Sequence, residues 1–312
     1  MRAFILLTLL AGTLAVAGCG ALGDDGTQGA EAANGKLRVT TPTNWIPATA
    51  EQIGGDRVAV TGLMGAGGDP HLYNASAGDV DTLRDTDVAF WNGLELEAQM
   101  TDVFETIGED KPVVAVGEAI PQERLLSFEG KSGEVDPHVW FSPSRWKAVA
   151  TAIARTYAEA DPDGAATYQA NLDAFLAELD EVDAYARERF AQIPENSRVL
   201  VTSHDAFGYF GDEYGFDVVA IQGISTQDEA TPADIERVAR VIAQRDINAV
   251  FVESSVPRRT IESVIAAAAQ QGQSVEIGGE LFGDAAGDRG TPEGSYVGAL
   301  RHNIDLIADG LS

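Results

Sequence analysis

Four histidines occur in the 312 residues, and three of them stand where an imidazole could act as a ligand. His71 lies in Gly67-Gly68-Asp69-Pro70-His71, His138 in Asp136-Pro137-His138-Val139-Trp140, and His204 in Val201-Thr202-Ser203-His204-Asp205. Two share the tripeptide Asp-Pro-His. There proline fixes its own φ and biases the preceding residue toward extended geometry, a stiff way to project an imidazole from a loop. His204 directly follows the apolar run Val199–Thr202, which places it at the carboxyl end of a strand, where open α/β sheets put their ligands. One such histidine is weak evidence. Three, in equivalent positions of separate strand–loop–helix units, are what convergence on one ion requires. Gly279–Gly287 follows another strand and offers Glu280 and Asp284 as a fourth ligand. Three imidazoles and a carboxylate suit a divalent transition ion such as Zn²⁺ or Mn²⁺, whereas Ca²⁺ and Mg²⁺ want oxygen shells. Asp205 and Glu253 are candidate acceptors for imidazole N–H groups. His302 lies among Leu300, Ile304, Ile307 and Leu311, a helical stripe that gives it a structural setting.

The elements that must position these residues are short β-rich runs alternating with helical patterns. Leu37–Thr41, Val58–Leu63, Val88–Trp91, Val113–Val116, Val199–Thr202, Val218–Ile221, Ala249–Val252 and Val275–Ile277 read as strands, and Trp146–Ala158 and Pro232–Gln244 as helices. The alternation predicts an α/β fold of parallel sheets flanked by helices, with enough units for two lobes. The divider is helical. Asp161-Pro162 is a helix start, Pro194 a stop, and Tyr168, Leu172, Phe175, Leu179, Val182, Ala186, Phe190 and Ile193 recur every three or four residues between them. A helix over 161–193 is about 45 Å long, enough to join an N-terminal lobe at 36–160 to a C-terminal lobe at 194–312.

The charge balance is 21 Lys+Arg against 49 Asp+Glu, a formal net charge of −28, and that field repels nucleic acid. A single cysteine, Cys19, excludes an internal disulfide framework and thiolate clusters. Met1-Arg2 followed by the uncharged run Phe4–Gly18 is too short to span a bilayer and reads as an export signal over 1–18. Its end, Val16-Ala17-Gly18-Cys19, resembles the bacterial lipobox, which makes Cys19 the expected lipid anchor. Residues 19–35, nearly all Gly, Ala and polar, then form a flexible tether to a membrane.

The chain resembles the zinc/manganese solute-binding lipoproteins of bacterial ABC importers, the zinc-uptake and adhesin-like lipoprotein family. The likeness rests on GGDPHLY at 67–73, WNGLELE at 91–97, DPHVWFSP at 136–143, VTSHDAFGYFGDEYG at 201–215 and SYVGALRHNIDLIADGL at 295–311. It implies two α/β lobes joined by one long helix, with the metal in the interlobe cleft held by His71, His138, His204 and Asp284. The family usually writes the last motif Tyr-Ser-Asp; here it is Phe282-Gly283-Asp284, and the Pro often found soon after the first histidine is absent from Leu72-Tyr73-Asn74-Ala75. The implied protein is an extracytoplasmic lipoprotein that delivers its ion to a cognate ABC permease and acts as a monomer. Zn²⁺ is the expected cargo on the affinity order, with Mn²⁺ next, although the His- and acid-rich loop of many zinc members is missing. A hydrolytic zinc site is disfavoured, since there is no His-Glu-x-x-His segment and Asp284 would fill the position a catalytic water needs. Adhesion through the same metal site is the alternative function the resemblance leaves.

Overall fold

The computed structural model describes residues 35–43, 45–127 and 135–312; the expected signal segment, Cys19 and the expected tether as far as residue 34 lie outside the described residues. In the first lobe β1 (Leu37–Thr41), β2 (Val58–Gly62), β3 (Val88–Trp91) and β4 (Val113–Ala115) pair in parallel in the order β2-β1-β3-β4. Around them lie α1 (Trp45–Gly54), α2 (Ala77–Asp85), α3 (Thr101–Gly108) and α4 (Pro143–Ala160). The second lobe carries β5 (Val199–Thr202), β6 (Asp217–Ala220), β7 (Ala249–Glu253) and β8 (Glu276–Leu281). They form two parallel hydrogen-bonded pairs, β5-β6 and β7-β8, with β5 packed beside β7. Every strand pair is parallel, so every strand needs a crossover and both faces of each sheet are covered.

Eight strands were expected and eight are found among the described residues, with one informative difference. β8 runs on to Leu281, through Gly278 and Gly279, where the apolar pattern ends. A Cβ on Gly278 would lie 2.7 Å from the Phe251 ring, and one on Gly279 would lie 2.7 Å from Leu306. The glycines therefore do not end the strand; they let it pass beneath close neighbours. Glu280 thereby becomes an exposed strand residue with its carboxylate toward Arg258, and it is removed from the candidate ligands.

The long helix between the lobes is α5 (Ala165–Phe190), shorter at both ends than expected. Asp161 does not cap it. The Asp161 carboxylate instead accepts from Arg57 at 2.7 and 2.8 Å and from the Tyr168 hydroxyl at 2.6 Å. A Cβ on Gly164 would meet all three side chains within 2.6 Å. That cluster occupies the space of a first α-turn, so Pro162–Gly164 is a 3₁₀ turn and the α-helix begins after it. The apolar stripe falls as its periodicity demands, with Tyr168, Leu172, Phe175, Leu179, Val182, Ala186 and Phe190 all buried. Arg187 and Arg189 in the last turn oppose the helix dipole, and Arg189 also reaches Asp305 and Asp309 of α9 (Tyr296–Leu311). The second lobe is completed by α6 (Gly208–Tyr214), α7 (Pro232–Gln244) and α8 (Arg259–Gln270).

The stripe packs against α1 and α4 on one side and α6 and α9 on the other, so one continuous apolar cluster runs through both lobes. Its centre is aromatic. Trp146 stacks on Tyr296 at 5.2 Å and 7°, Trp45 lies between Trp140 and Tyr296, and Phe175 of α5 meets Tyr296 edge-on at 6.0 Å. Phe175→Ala would open a cavity in this shared core and is expected to cost about 3–5 kcal/mol of unfolding free energy in urea. A cost under about 1 kcal/mol would show that the lobes do not depend on α5 for their packing.

Candidate metal centre

Each of the four residues singled out as ligands lies beyond the carboxyl end of a parallel strand. His71 is in the β2–α2 loop, His138 opens the 3₁₀ turn Val139–Phe141 between β4 and α4, His204 follows β5, and Asp284 lies between β8 and α9. Their ligand atoms all fall within 4.8 Å of one another, and all four side chains are buried. His71 Nε2 is 3.3 Å from His138 Nε2; Asp284 Oδ1 is 3.3 Å from His138 Nε2 and 3.2 Å from His204 Nε2. Asp284 Oδ2 lies 3.9 Å from His71 Nε2 and has no hydrogen-bond partner. Tetrahedral bonds of about 2.0 Å place neighbouring ligand atoms about 3.3 Å apart. These spacings could therefore hold a metal ion, and the buried Asp284 oxygen without a hydrogen-bond partner fits a ligand atom.

The frame behind two of the imidazoles is acidic. Asp136 Oδ1 accepts from both the main-chain N–H of His138 at 2.9 Å and its Nδ1–H at 2.7 Å. That contact fixes the proton on Nδ1 and turns the Nε2 lone pair toward the other ligands. Glu253, also fully buried, receives the main-chain N–H groups of Ser203 and His204 on Oε1 at 2.8 and 2.9 Å. Its Oε2 lies 2.7 Å from His204 Nδ1. Asp205 turns instead into a cavity beside Gln222 and Arg237, where burial raises its carboxyl pKa.

These surroundings split the three histidines. Burial pulls His71 down to about 3, against the attraction of Asp284. Burial also opposes charge on His138, but Asp136 and Asp284 outweigh it and raise the group to about 9. For His204 the same contest, with Asp284 and Glu253 as the anions, ends well above the usual histidine value. Burial would raise Asp284, yet the imidazolium groups of His204 and His138 hold it well below the carboxylate range. The Nε2 atoms of both raised imidazoles lie within 3.3 Å of the same carboxylate oxygen, Asp284 Oδ1.

Asp284 is held across the lobe boundary. The indole N–H groups of Trp45 and Trp140, both in the first lobe, donate at 3.0 and 3.1 Å to the carbonyl of Gly283. Asn303 of α9 brackets Phe282, accepting from its N–H at 2.9 Å and donating to its carbonyl at 2.8 Å. Gly283, where the family usually has serine, has a structural cause: a Cβ there would stand 2.5 Å from Glu253 Oε2. His138 is steadied by Asn92, which donates to the Pro137 carbonyl at 3.0 Å from a turn closed by buried Glu97 on the Asn92 and Gly93 N–H groups. Leu94 and Glu95 in that turn take positive φ of 55° and 64°, a strained path of the kind found beside functional groups. His302 lies apart, its ring on Phe282 and its Nε2 against the Glu280 carbonyl.

Asp136, Trp45, Trp140, Asn92 and Asn303 were not singled out from the sequence. Only Asp136 left a local signal, since the repeated Asp-Pro-His puts a carboxylate two residues before each imidazole; the rest act over separations of 21 to 238 residues. Gly283→Ala is expected to displace Glu253 and cost about 1–3 kcal/mol in chemical unfolding. An unchanged midpoint would mean that Glu253 is not confined against Gly283.

Comparisons with known proteins place the chain in a family. The family described as "Zinc-uptake complex component A periplasmic" matches residues 39–310. The chain is 43% identical over 312 residues to the manganese-binding lipoprotein MntA of Bacillus subtilis (strain 168), covering 100% of both. It is 44% identical over 281 residues to the zinc-binding protein TroA of Treponema pallidum (strain Nichols), covering 90% of this chain and 91% of the relative. The solved structure of the periplasmic zinc-binding protein TroA superposes with a TM-score of 0.87, covering 89% of this chain and 100% of that one. The chain belongs to the zinc-uptake component A family, the metal-binding, substrate-binding components of ABC importers.

Proposed function

We propose that His71, His138, His204 and Asp284 together hold one divalent transition-metal ion, which the protein captures outside the cell membrane and delivers to its ABC permease. The observation that carries this is the convergence of three imidazole nitrogens and a carboxylate in a buried cluster with an unpartnered Asp284 oxygen. Family membership makes the chain a binding component of transport and not an enzyme. Among the described residues no helix is long and apolar enough to cross a membrane. The organisation that fits is a signal over 1–18, lipidated Cys19, a tether to residue 35, lobes at 36–160 and 194–312 joined through 161–193, and a monomer in action. None of the observations favours the adhesion reading.

Zn²⁺ is the favoured cargo, with Mn²⁺ next. Ligand separations near 3.3 Å suit a small four-coordinate site, and for the same nitrogen and oxygen donors Zn²⁺ binds more tightly than Mn²⁺. Two relatives of nearly equal identity are named for manganese and for zinc, so likeness alone does not choose between the ions. Equilibrium competition on the purified protein decides it: retention of Mn²⁺ against equimolar Zn²⁺ would overturn the zinc assignment.

His138→Ala removes one ligand and leaves Asp136 without its imidazole partner. Affinity is expected to fall by more than about a hundredfold while far-UV circular dichroism stays native, because the loss of a supporting partner alone costs about 10–100-fold. Undiminished affinity would refute the site.

The raised pKa values set the sign of the pH dependence. The metal-free protein keeps a proton on His138 up to about pH 9, so an incoming ion must displace it at neutral pH. Apparent log affinity is expected to rise by about one or more per pH unit between pH 6.5 and 9, with proton release seen as a buffer-dependent calorimetric enthalpy. The stability that protonated His138 lends the metal-free protein is full below about pH 6.5 and is lost as pH rises through about 9. Affinity that levels off above pH 7 would contradict the proton-for-metal exchange.

A further inference from the structure

His71 is held differently from the other three groups. Asp136 braces the Nδ1 of His138, Glu253 braces that of His204, and the indole pair fixes the carbonyl before Asp284. Among the described residues no carboxylate braces the Nδ1 of His71. What holds this residue is its main chain, and it is held from the opposite lobe. The Thr226 hydroxyl donates at 2.6 Å to Asp69 Oδ2, while Asp69 Oδ1 accepts from the His71 N–H at 2.9 Å. Gln227 Nε2 donates at 3.2 Å to the His71 carbonyl. Two consecutive side chains of the segment between β6 and α7 thus hold the residue's main chain, Gln227 directly at the carbonyl and Thr226 through Asp69 at the N–H. The segment's grip is local: Thr226 is buried at the contact, Gln227 is exposed, and Leu72, the next residue after the histidine, is 51% exposed.

We propose that Thr226 and Gln227 are a latch: positioning residues that hold the His71 loop over the ion and set how long the ion stays. Release of these two hydrogen bonds frees His71 to lift with its loop, while His138, His204 and Asp284 keep their places. The proposal rests on the reading that the four side chains hold one ion, and it assigns separate roles within that site. Three ligands fix where the ion binds, and the latch fixes its residence time. Neither latch side chain touches the ion, so its loss shows in the rate of release, with little change in the rate of capture.

The test loads the full chain with Zn²⁺ and follows its release into excess chelator by stopped flow, for the parent, Thr226→Val, Thr226→Ser, Gln227→Ala and His71→Ala. Thr226→Val and Gln227→Ala are expected to release Zn²⁺ about fivefold faster or more, the factor one lost hydrogen bond allows, with association rates within about twofold of the parent. Thr226→Ser keeps the hydroxyl and is expected to restore slow release. Unchanged release from Thr226→Val and Gln227→Ala, with His71→Ala impaired, would overturn the latch and leave the metal site standing. Release from Thr226→Ser as fast as from Thr226→Val would also overturn it, by assigning the effect to lost packing. Zn²⁺ retention by His71→Ala equal to the parent's would overturn the four-ligand reading itself.

Discussion

Two indole N–H groups on one carbonyl are the contact on which the rest of the centre depends. Trp45 and Trp140 belong to the first lobe and Gly283 to the second, so their shared acceptor fixes the cleft at the residue before Asp284. A buried carbonyl has two lone pairs to satisfy, and two donors satisfy both, which makes the contact costly to break on either side. The same indoles sit in the aromatic stack with Tyr296, whose hydroxyl donates to the Trp140 carbonyl at 2.7 Å. Core packing and carboxylate placement are therefore one structure. Trp140 also meets the His138 ring edge-on at 5.2 Å, so the same side chain steadies two proposed ligands from different lobes.

Against this fixed frame the electrostatics are those of exchange between protons and a cation. Three buried carboxylates, Asp136, Glu253 and Asp284, surround three imidazoles. Empty and neutral, such a cluster would leave anionic charge uncompensated in a site that excludes water, which is expensive. Protons on His138 and His204 would offset two of these three negative charges, and a divalent ion would offset the same two. Asp136 and Glu253 thus have two effects that must be weighed together. They orient the lone pairs toward the ion and strengthen the ligands, and they also raise the proton affinity that the ion must overcome. The chain's large acidic excess contributes attraction at a distance, whereas these three groups act at contact.

Much of this frame was legible in the sequence, and the reason is local. Most strands announce themselves by a short apolar run rich in β-branched residues, and the three histidines stood out because each follows such a run or ends a repeated Asp-Pro-His. The α5 stripe was visible because its period is maintained for seven turns. What was not legible depends on distance in the chain or on missing side chains. The start of α5 moved because Arg57, more than a hundred residues away, claims Asp161 for an ion pair. β8 outran its apolar pattern because glycine is required beneath Phe251 and Leu306, a demand set by tertiary packing. Thr226 and Gln227 lie in Gln222-Gly223-Ile224-Ser225-Thr226-Gln227, where nothing marks two polar residues as reaching a histidine 156 residues earlier.

An ion held, as proposed, by four buried side chains must still enter and leave, and the magnitudes decide how. Opening the lobes about α5 would pull Trp45, Trp140, Phe175 and Tyr296 from a common core, and re-exposing each such side chain costs about 1.5–3 kcal/mol before its hydrogen bonds are counted. Arg289 adds a further tie, reaching from the second lobe to Glu51 and to the Val60 carbonyl of the first. Lifting the His71 loop gives up two hydrogen bonds whose net worth is about 0.5–1.5 kcal/mol each, and the exposed Leu72 beside them loses little burial. The cheaper motion is the local one, by a margin of several kcal/mol. On the proposed reading three ligands stay preorganised, and capture needs only one group to move. The long helix, packed against elements of both lobes, is thus what makes the loop the cheaper route for the proposed exchange.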